Sequence, residues 1–166
     1  MKEVMVNPFN SPLETGVRSL AILSACYPSA HDLSRLLQYD YLTVHSEDAD
    51  GPPSLHPPLP LRSGELLVRR GLIEAGLGLM MSRSLVRREL HEKRGFIFGA
   101  HDSTASFLDN LKSPYILALR SRAEWVSKNF DGLDTNELNK IVGRLFKAWT
   151  IEFQPLEFGP QRERQQ

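Results

Sequence analysis

A single cysteine stands among 166 residues, and that scarcity excludes an internal disulfide and any cage of thiolates around a metal ion. Cys26 reads as a core residue, and the chain as one of a reducing, cytoplasmic compartment. Long apolar runs are missing too. None approaches the roughly 20 residues that cross a bilayer, and the opening Met1-Lys2-Glu3-Val4-Met5-Val6-Asn7 lacks the apolar stretch of a signal peptide, so no membrane partner is expected. Excess charge is the third absence. Twenty basic and 20 acidic side chains cancel, so a case for nucleic acid has to rest on local asymmetry. That asymmetry exists: minus four over residues 31–50 and plus four over residues 62–94.

Catalytic fingerprints are equally scarce. Gly76-Leu77-Gly78 has neither the preceding strand nor the third glycine of a dinucleotide site, and no Gly-Lys-Ser or Gly-Lys-Thr offers a phosphate loop. The richest cluster is His45-Ser46-Glu47-Asp48-Ala49-Asp50-Gly51 with His56. Set against a calcium loop, Ser46, Asp48, Asp50 and Gly51 fall at positions one, three, five and six, but Pro57 stands where the bidentate glutamate belongs. His45, His56 and one aspartate retain the ligand types of a transition-metal site, against the plainer reading of solvated helix-end acids and loop-packing histidines. His45 and Ser46 are adjacent, so their side chains diverge on a helix, and Cys26 has no base in view. Neither an enzyme nor a cofactor is expected, and a hydrolase built on His45 stands as the third reading.

What is present is a series of helix signals. Ser11-Pro12-Leu13-Glu14 is a capping box with proline at the first helical position, followed by Leu13, Val17, Leu20 and Leu23 or Ser24 on one face. Tyr27-Pro28 ends that helix. Ser29 with Asp32 predicts the start of a second, carrying Leu33, Leu36, Leu37, Tyr41 and Val44 and fraying near His45. Ser63 opens a third with Leu66, Leu67, Ile73, Leu77, Met80 and Met81, and its three glycines predict a break near Gly71. Two β-rich runs around Glu92-Lys93-Arg94-Gly95 predict a hairpin over residues 85–100. Asp102 or Ser103 starts a short helix, Ser113-Pro114 a longer one with Ile116, Leu119, Ala123, Val126 and Phe130, and Asp134 with Glu137 a last one through Trp149.

Helix, helix, helix, hairpin, helix is the order of a winged helix-turn-helix. The fold class expected is therefore mainly α with a small β-hairpin, a winged helix-turn-helix core followed by a C-terminal helical extension. The expected division is a winged-helix-like domain over 1–111, with its wing at 85–100, then a helical hairpin over 112–153 and a mobile tail over 154–166. Five of the 11 prolines fall within residues 51–60. Because the second and third helices have to pack together, residues 47–63 are expected to form an ordered loop, anchored by Leu55, Leu59 and Leu61, and not a free linker or a ligand for an SH3-like groove.

Arg83, Arg87, Arg88, Lys93 and Arg94 are the candidates for DNA contact, through phosphates, because residues 71–82 offer almost no side chain that reads bases. Interleaved Glu89 and Glu92 dilute that patch. Leu55, His56, Arg69, Arg70, Trp125, Phe130 and Trp149 are the candidates for a protein interface, with the aromatics equally suited to a local core.

One block of residues goes further. Asn7-Pro8-Phe9, Ser11-Pro12-Leu13-Glu14, Asp40-Tyr41-Leu42, Val44-His45-Ser46, and above all Gly51-Pro52-Pro53-Ser54-Leu55-His56-Pro57, with Arg62-Ser63-Gly64-Glu65 and Val68-Arg69-Arg70, resemble the small middle component of the ABC-three-component systems, bacterial anti-phage and anti-plasmid operons of the Lamassu kind. The resemblance runs from about Asn7 to Trp149. It implies a non-enzymatic subunit between an SMC-like ABC ATPase and an effector, often a nuclease, in a complex that responds to invading DNA. It carries no catalytic motif. The alternative from the residues themselves is a stand-alone winged-helix transcription regulator, which requires sequence-selective duplex binding.

Overall fold

The computed structural model describes residues 11–57 and 63–153, with the backbone alone for 63–67 and 146–153. Helix α1 (Pro12–Ala25) starts where expected: the Ser11 hydroxyl accepts the Glu14 N–H at 3.2 Å, and Pro12 sits in the first turn. The second helix does not open on Ser29. His31 and Asp32 instead pair antiparallel with Phe98 and Ile97 as strand β1 (His31–Asp32), so helix α2 (Leu33–Val44) begins later, and Asp32 caps it by accepting the Arg35 N–H at 2.8 Å. Pairing with a distant strand overrides the local signal. The helix ends at Val44 with His45 as its C-cap, and a short 3-10 turn, Ser46–Ala49, follows.

Helix α3 (Ser63–Ser82) runs unbroken through Gly71, against the expected interruption. Its glycines differ in role. A Cβ on Gly76 would lie 2.6 Å from the Gly16 nitrogen of α1, whereas one on Gly71 or Gly78 would meet nothing within 4 Å. Gly76 thus permits close approach of α1 and α3, and the helix-propensity cost of each glycine, about 1 kcal/mol, is offset by that packing. Leu13, expected on the buried stripe of α1, is 58% exposed. It lies one helical step round from Pro12 and Gly16, which face Gly76.

The hairpin forms as expected from β2 (Val86–His91) and β3 (Gly95–Ala100), in register from Val86 opposite Ala100 to His91 opposite Gly95. Gly95 takes φ +70, and His91 Nδ1 accepts the Lys93 and Arg94 N–H groups, which closes the turn. With β1 on the far side of β3, the sheet has the order β1-β3-β2.

Helices α4 (Thr104–Asp109), α5 (Pro114–Phe130) and α6 (Thr135–Phe153) complete the described residues. Ser113 caps α5 through the Ile116 N–H, and Asp134 and Glu137 cap α6 reciprocally. On α5, Leu119, Ala123, Val126 and Phe130 are buried and join one core with Leu20, Leu23, Leu36, Ile73 and Leu77, so the heptad-like stripe packs on the protein's own body. The described residues therefore form a mainly helical fold of six helices and a three-stranded antiparallel sheet. No helix among them is long and apolar enough to cross a membrane. Leu59, Leu61, the side chain of Trp149 and the tail over 154–166 lie outside the described residues.

Candidate functional site

Asp40, His45, His56 and Arg69, four of the residues quoted for the resemblance, converge in space. Asp40, on the inner face of α2, receives the Arg18 guanidinium from α1, Nε to Oδ1 at 2.8 Å, and Arg69 from α3, Nη1 to Oδ2 at 3.2 Å. Arg18 and Asp40 are 2% and 0% exposed. Burial alone would raise the Asp40 carboxyl, but the two guanidinium groups hold it below the usual carboxylate range. Two cations on one buried anion leave positive charge in the interior, and its effect reaches the neighbouring histidines. Burial, reinforced by Arg69 for His45 and by Arg18 for His56, pushes both imidazoles down to about 4, so both are neutral at pH 7.

Residues 45–57 are laid over this network as a fixed loop. The Leu55 and His56 N–H groups both donate to the Val44 carbonyl, at 3.0 and 3.1 Å, and Ser46 Oγ donates to the Pro52 carbonyl at 2.8 Å. From α5, Arg122 Nε donates to the Pro53 carbonyl at 2.9 Å, His56 Nε2 lies 2.9 Å from the Tyr115 hydroxyl, and Trp125 packs on Gly51 so closely that a Cβ there would fall 2.4 Å from its ring. Asp50 turns the chain at φ 57. His45 and His56 are thus loop and helix-end histidines whose ring centroids stand 6.3 Å apart, at the edge of the charge network.

The interface candidates separate accordingly. His56 and Phe130 are buried, Leu55 and Trp125 half-buried, and Arg69 turns inward to Asp40. Trp125 and Phe130 meet edge to face at 5.4 Å. Arg70 remains on the surface near Glu74.

The basic candidates do not form one patch. Arg70, Arg88 and Arg94 border a single groove between α2, α3 and the hairpin, together with Asp32 and Glu74. Within the hairpin, Arg88 lies over the Phe96 ring at 4.5 Å and Arg94 donates to the Ala30 carbonyl. Arg87 is engaged by Glu89 and the Pro28 carbonyl, Lys93 is exposed at the turn, and Arg83 lies elsewhere, beside Leu13 and Phe107.

A second polar cluster went unread in the sequence. Tyr39 donates to Asp131 Oδ1 at 2.9 Å and accepts from Arg35 Nε at 2.9 Å, while Arg35 also donates to the Leu133 carbonyl at 2.6 Å. Burial alone would raise the Asp131 carboxyl, but the adjacent His31, Tyr39 and Arg35 hold it low. Burial and the nearby Asp131 push the Cys26 thiol up to about 12. Arg18 was missed likewise, although a charged residue beside the apolar stripe of the first helix is a visible signal for a buried pair.

These features define a helical protein with a small antiparallel sheet, knit together by buried charge beneath the loop over residues 45–57; residues 58–62 of the loop expected over 47–63 lie outside the described residues. The chain belongs to the family of Middle Component 2 of the ABC-three component (ABC-3C) systems, whose family model matches residues 8–152. No curated protein and no solved structure matches it. Membership makes the protein one part of a multi-component system, with its partners inside that system.

Proposed function

We propose that this protein is a non-enzymatic accessory subunit linking an SMC-like ABC ATPase to an effector, a nuclease, in a Lamassu-type anti-phage complex of the bacterial cytoplasm. The observation that carries the reading is the family match over residues 8–152. Within it, residues up to 111 act as a winged helix. The order α1-β1-α2-α3-β2-β3, with β1 against β3, supports that reading. The loop over residues 45–57, held rigid by its bonds to α2 and α5, serves as a preformed docking element, since ordering it at the moment of binding costs little. Arg70, Arg88 and Arg94 give the groove beside the hairpin a means of touching DNA phosphates without reading sequence.

Native mass spectrometry of this chain co-expressed with the products of its neighbouring genes, with and without ATP and DNA, tests the proposal. A stable assembly with an ABC ATPase and an effector is the expected result. A chain that flies alone under every condition overturns it. The same strand order favours one second reading, a stand-alone winged-helix regulator, which requires salt-sensitive and sequence-selective duplex binding by the isolated protein.

A further inference from the structure

We propose that Cys26, His31 and Asp131 form a binding site for one divalent transition-metal ion, zinc by preference. The three residues come from separate places and each sits at the end of an element. Cys26 caps α1, His31 lies in β1, and Asp131 caps α5. One donor atom from each lies within 4.8 Å of the others. Around a tetrahedral zinc, sulfur and nitrogen ligands stand about 3.5 Å apart, so side-chain rotation can bring the set onto one ion.

The orientation of the donors is the second observation. His31 is 5% exposed, and its Nε2 lies 2.7 Å from Asp131 Oδ1, yet neither ring nitrogen attains hydrogen-bond geometry. A histidine and a carboxylate that merely paired would aim the N–H at the oxygen. Two donors side by side without that alignment leave both able to turn onto one cation.

The chemistry of the set selects the ion. A thiolate, an imidazole and a carboxylate suit a borderline-soft cation, not calcium or magnesium, which take oxygen donors. One thiolate and one carboxylate neutralise a divalent ion, so the bound site has no net charge to bury. On binding, the Cys26 S–H bond breaks, its proton passes to solvent and a metal–sulfur bond forms, with no change of oxidation state. Tyr39, donating to Asp131 Oδ1, fixes the carboxylate from behind. Arg35 lies near this arrangement, and it donates to the Tyr39 hydroxyl and the Phe130 and Leu133 carbonyls. The Asp131 side chain, 17% exposed, marks the side from which an ion enters. Three protein ligands leave one position for water or for a donor from a partner. The ion would pin the end of α1 and β1 to the turn between α5 and α6.

The test uses the full chain. Zinc is titrated against a chromophoric chelator, and cobalt(II) is then added as a spectroscopic probe. One zinc per chain is expected, together with a thiolate-to-cobalt charge-transfer band in the near ultraviolet. Cys26→Ser should abolish that band, and His31→Gln should weaken zinc by about 100-fold or more, beyond the loss usual for an outer-shell change. A wild-type chain that takes up no zinc, or cobalt bound without a thiolate band, overturns the proposal. Both of those outcomes are read on the unaltered protein, so the test stands even where a variant does not fold.

Discussion

Arg18 Nε stands 2.8 Å from Asp40 Oδ1, and the two side chains, 2% and 0% exposed, are sealed from solvent between α1 and α2. Arg69 completes the group at 3.2 Å from the other carboxylate oxygen. Charge in such a place is costly unless every member is paired. Asp40→Asn leaves two guanidinium groups without their anion and should destabilise the chain by about 3–5 kcal/mol, measured by urea unfolding. Replacing Arg18 by Met and Asp40 by Leu together should cost less than Asp40→Asn alone, because only the Arg69 guanidinium is then left without its anion, where the single variant leaves two. A double variant as unstable as the single one contradicts that account.

Acid should loosen the same region. His45 and His56 titrate near 4 in the folded chain, because of burial first and neighbouring arginines second, against an ordinary value of 6.5. Below 6.5 the unfolded chain therefore binds more protons than the folded one. Stability is fully present above pH 6.5 and is lost as pH falls towards 4, by up to roughly 1.4 kcal/mol per pH unit for each histidine. His56→Gln should flatten the fall in melting temperature between pH 6.5 and 4. An unchanged slope assigns the acid sensitivity to other groups.

The loop and α5 should be coupled through Gly51. A methyl group there meets the Trp125 ring at 2.4 Å and the Ser46 carbonyl at 2.8 Å. Gly51→Ala should cost about 1–3 kcal/mol, the usual range for overpacking. With Trp125→Leu in the background, part of that penalty should disappear, and the coupling energy of the double-mutant cycle measures the contact. Strict additivity denies it.

The three glycines of α3 should respond differently to alanine. Gly76→Ala drives a Cβ into the α1 backbone, 2.6 Å from the Gly16 nitrogen, and should destabilise by about 1–3 kcal/mol. Gly71→Ala and Gly78→Ala meet nothing within 4 Å and should each stabilise by about 0.5–1 kcal/mol through helix propensity. Thermal melts of the three variants decide the matter. Equal shifts for all three would mean that α1 and α3 do not approach as described.

The helix starts at Ser11, Ser113 and Asp134, the hairpin around residues 92–95 and the family itself were legible in the sequence. Caps and tight turns join residues three or four apart, so both partners stand in the same short stretch, and the proline block is distinctive by its order alone. Two local expectations gave way to packing. Ser29 lost the start of α2 because His31 and Asp32 pair with β3, and Gly71 did not break α3, which packs against α1 around Gly76.

What the sequence by itself determined is the alphabet of elements and their order, since each signal acts over a few residues. Which charges meet was decided by tertiary structure alone. Arg18 and Asp40 lie 22 residues apart, Tyr39 and Asp131 lie 92 apart, and nothing local to any of them names its partner. A buried charge cannot remain unpaired, but the identity of the group that satisfies it depends on how α1, α2, α3 and α5 close on one core, and that closure is a property of the whole chain.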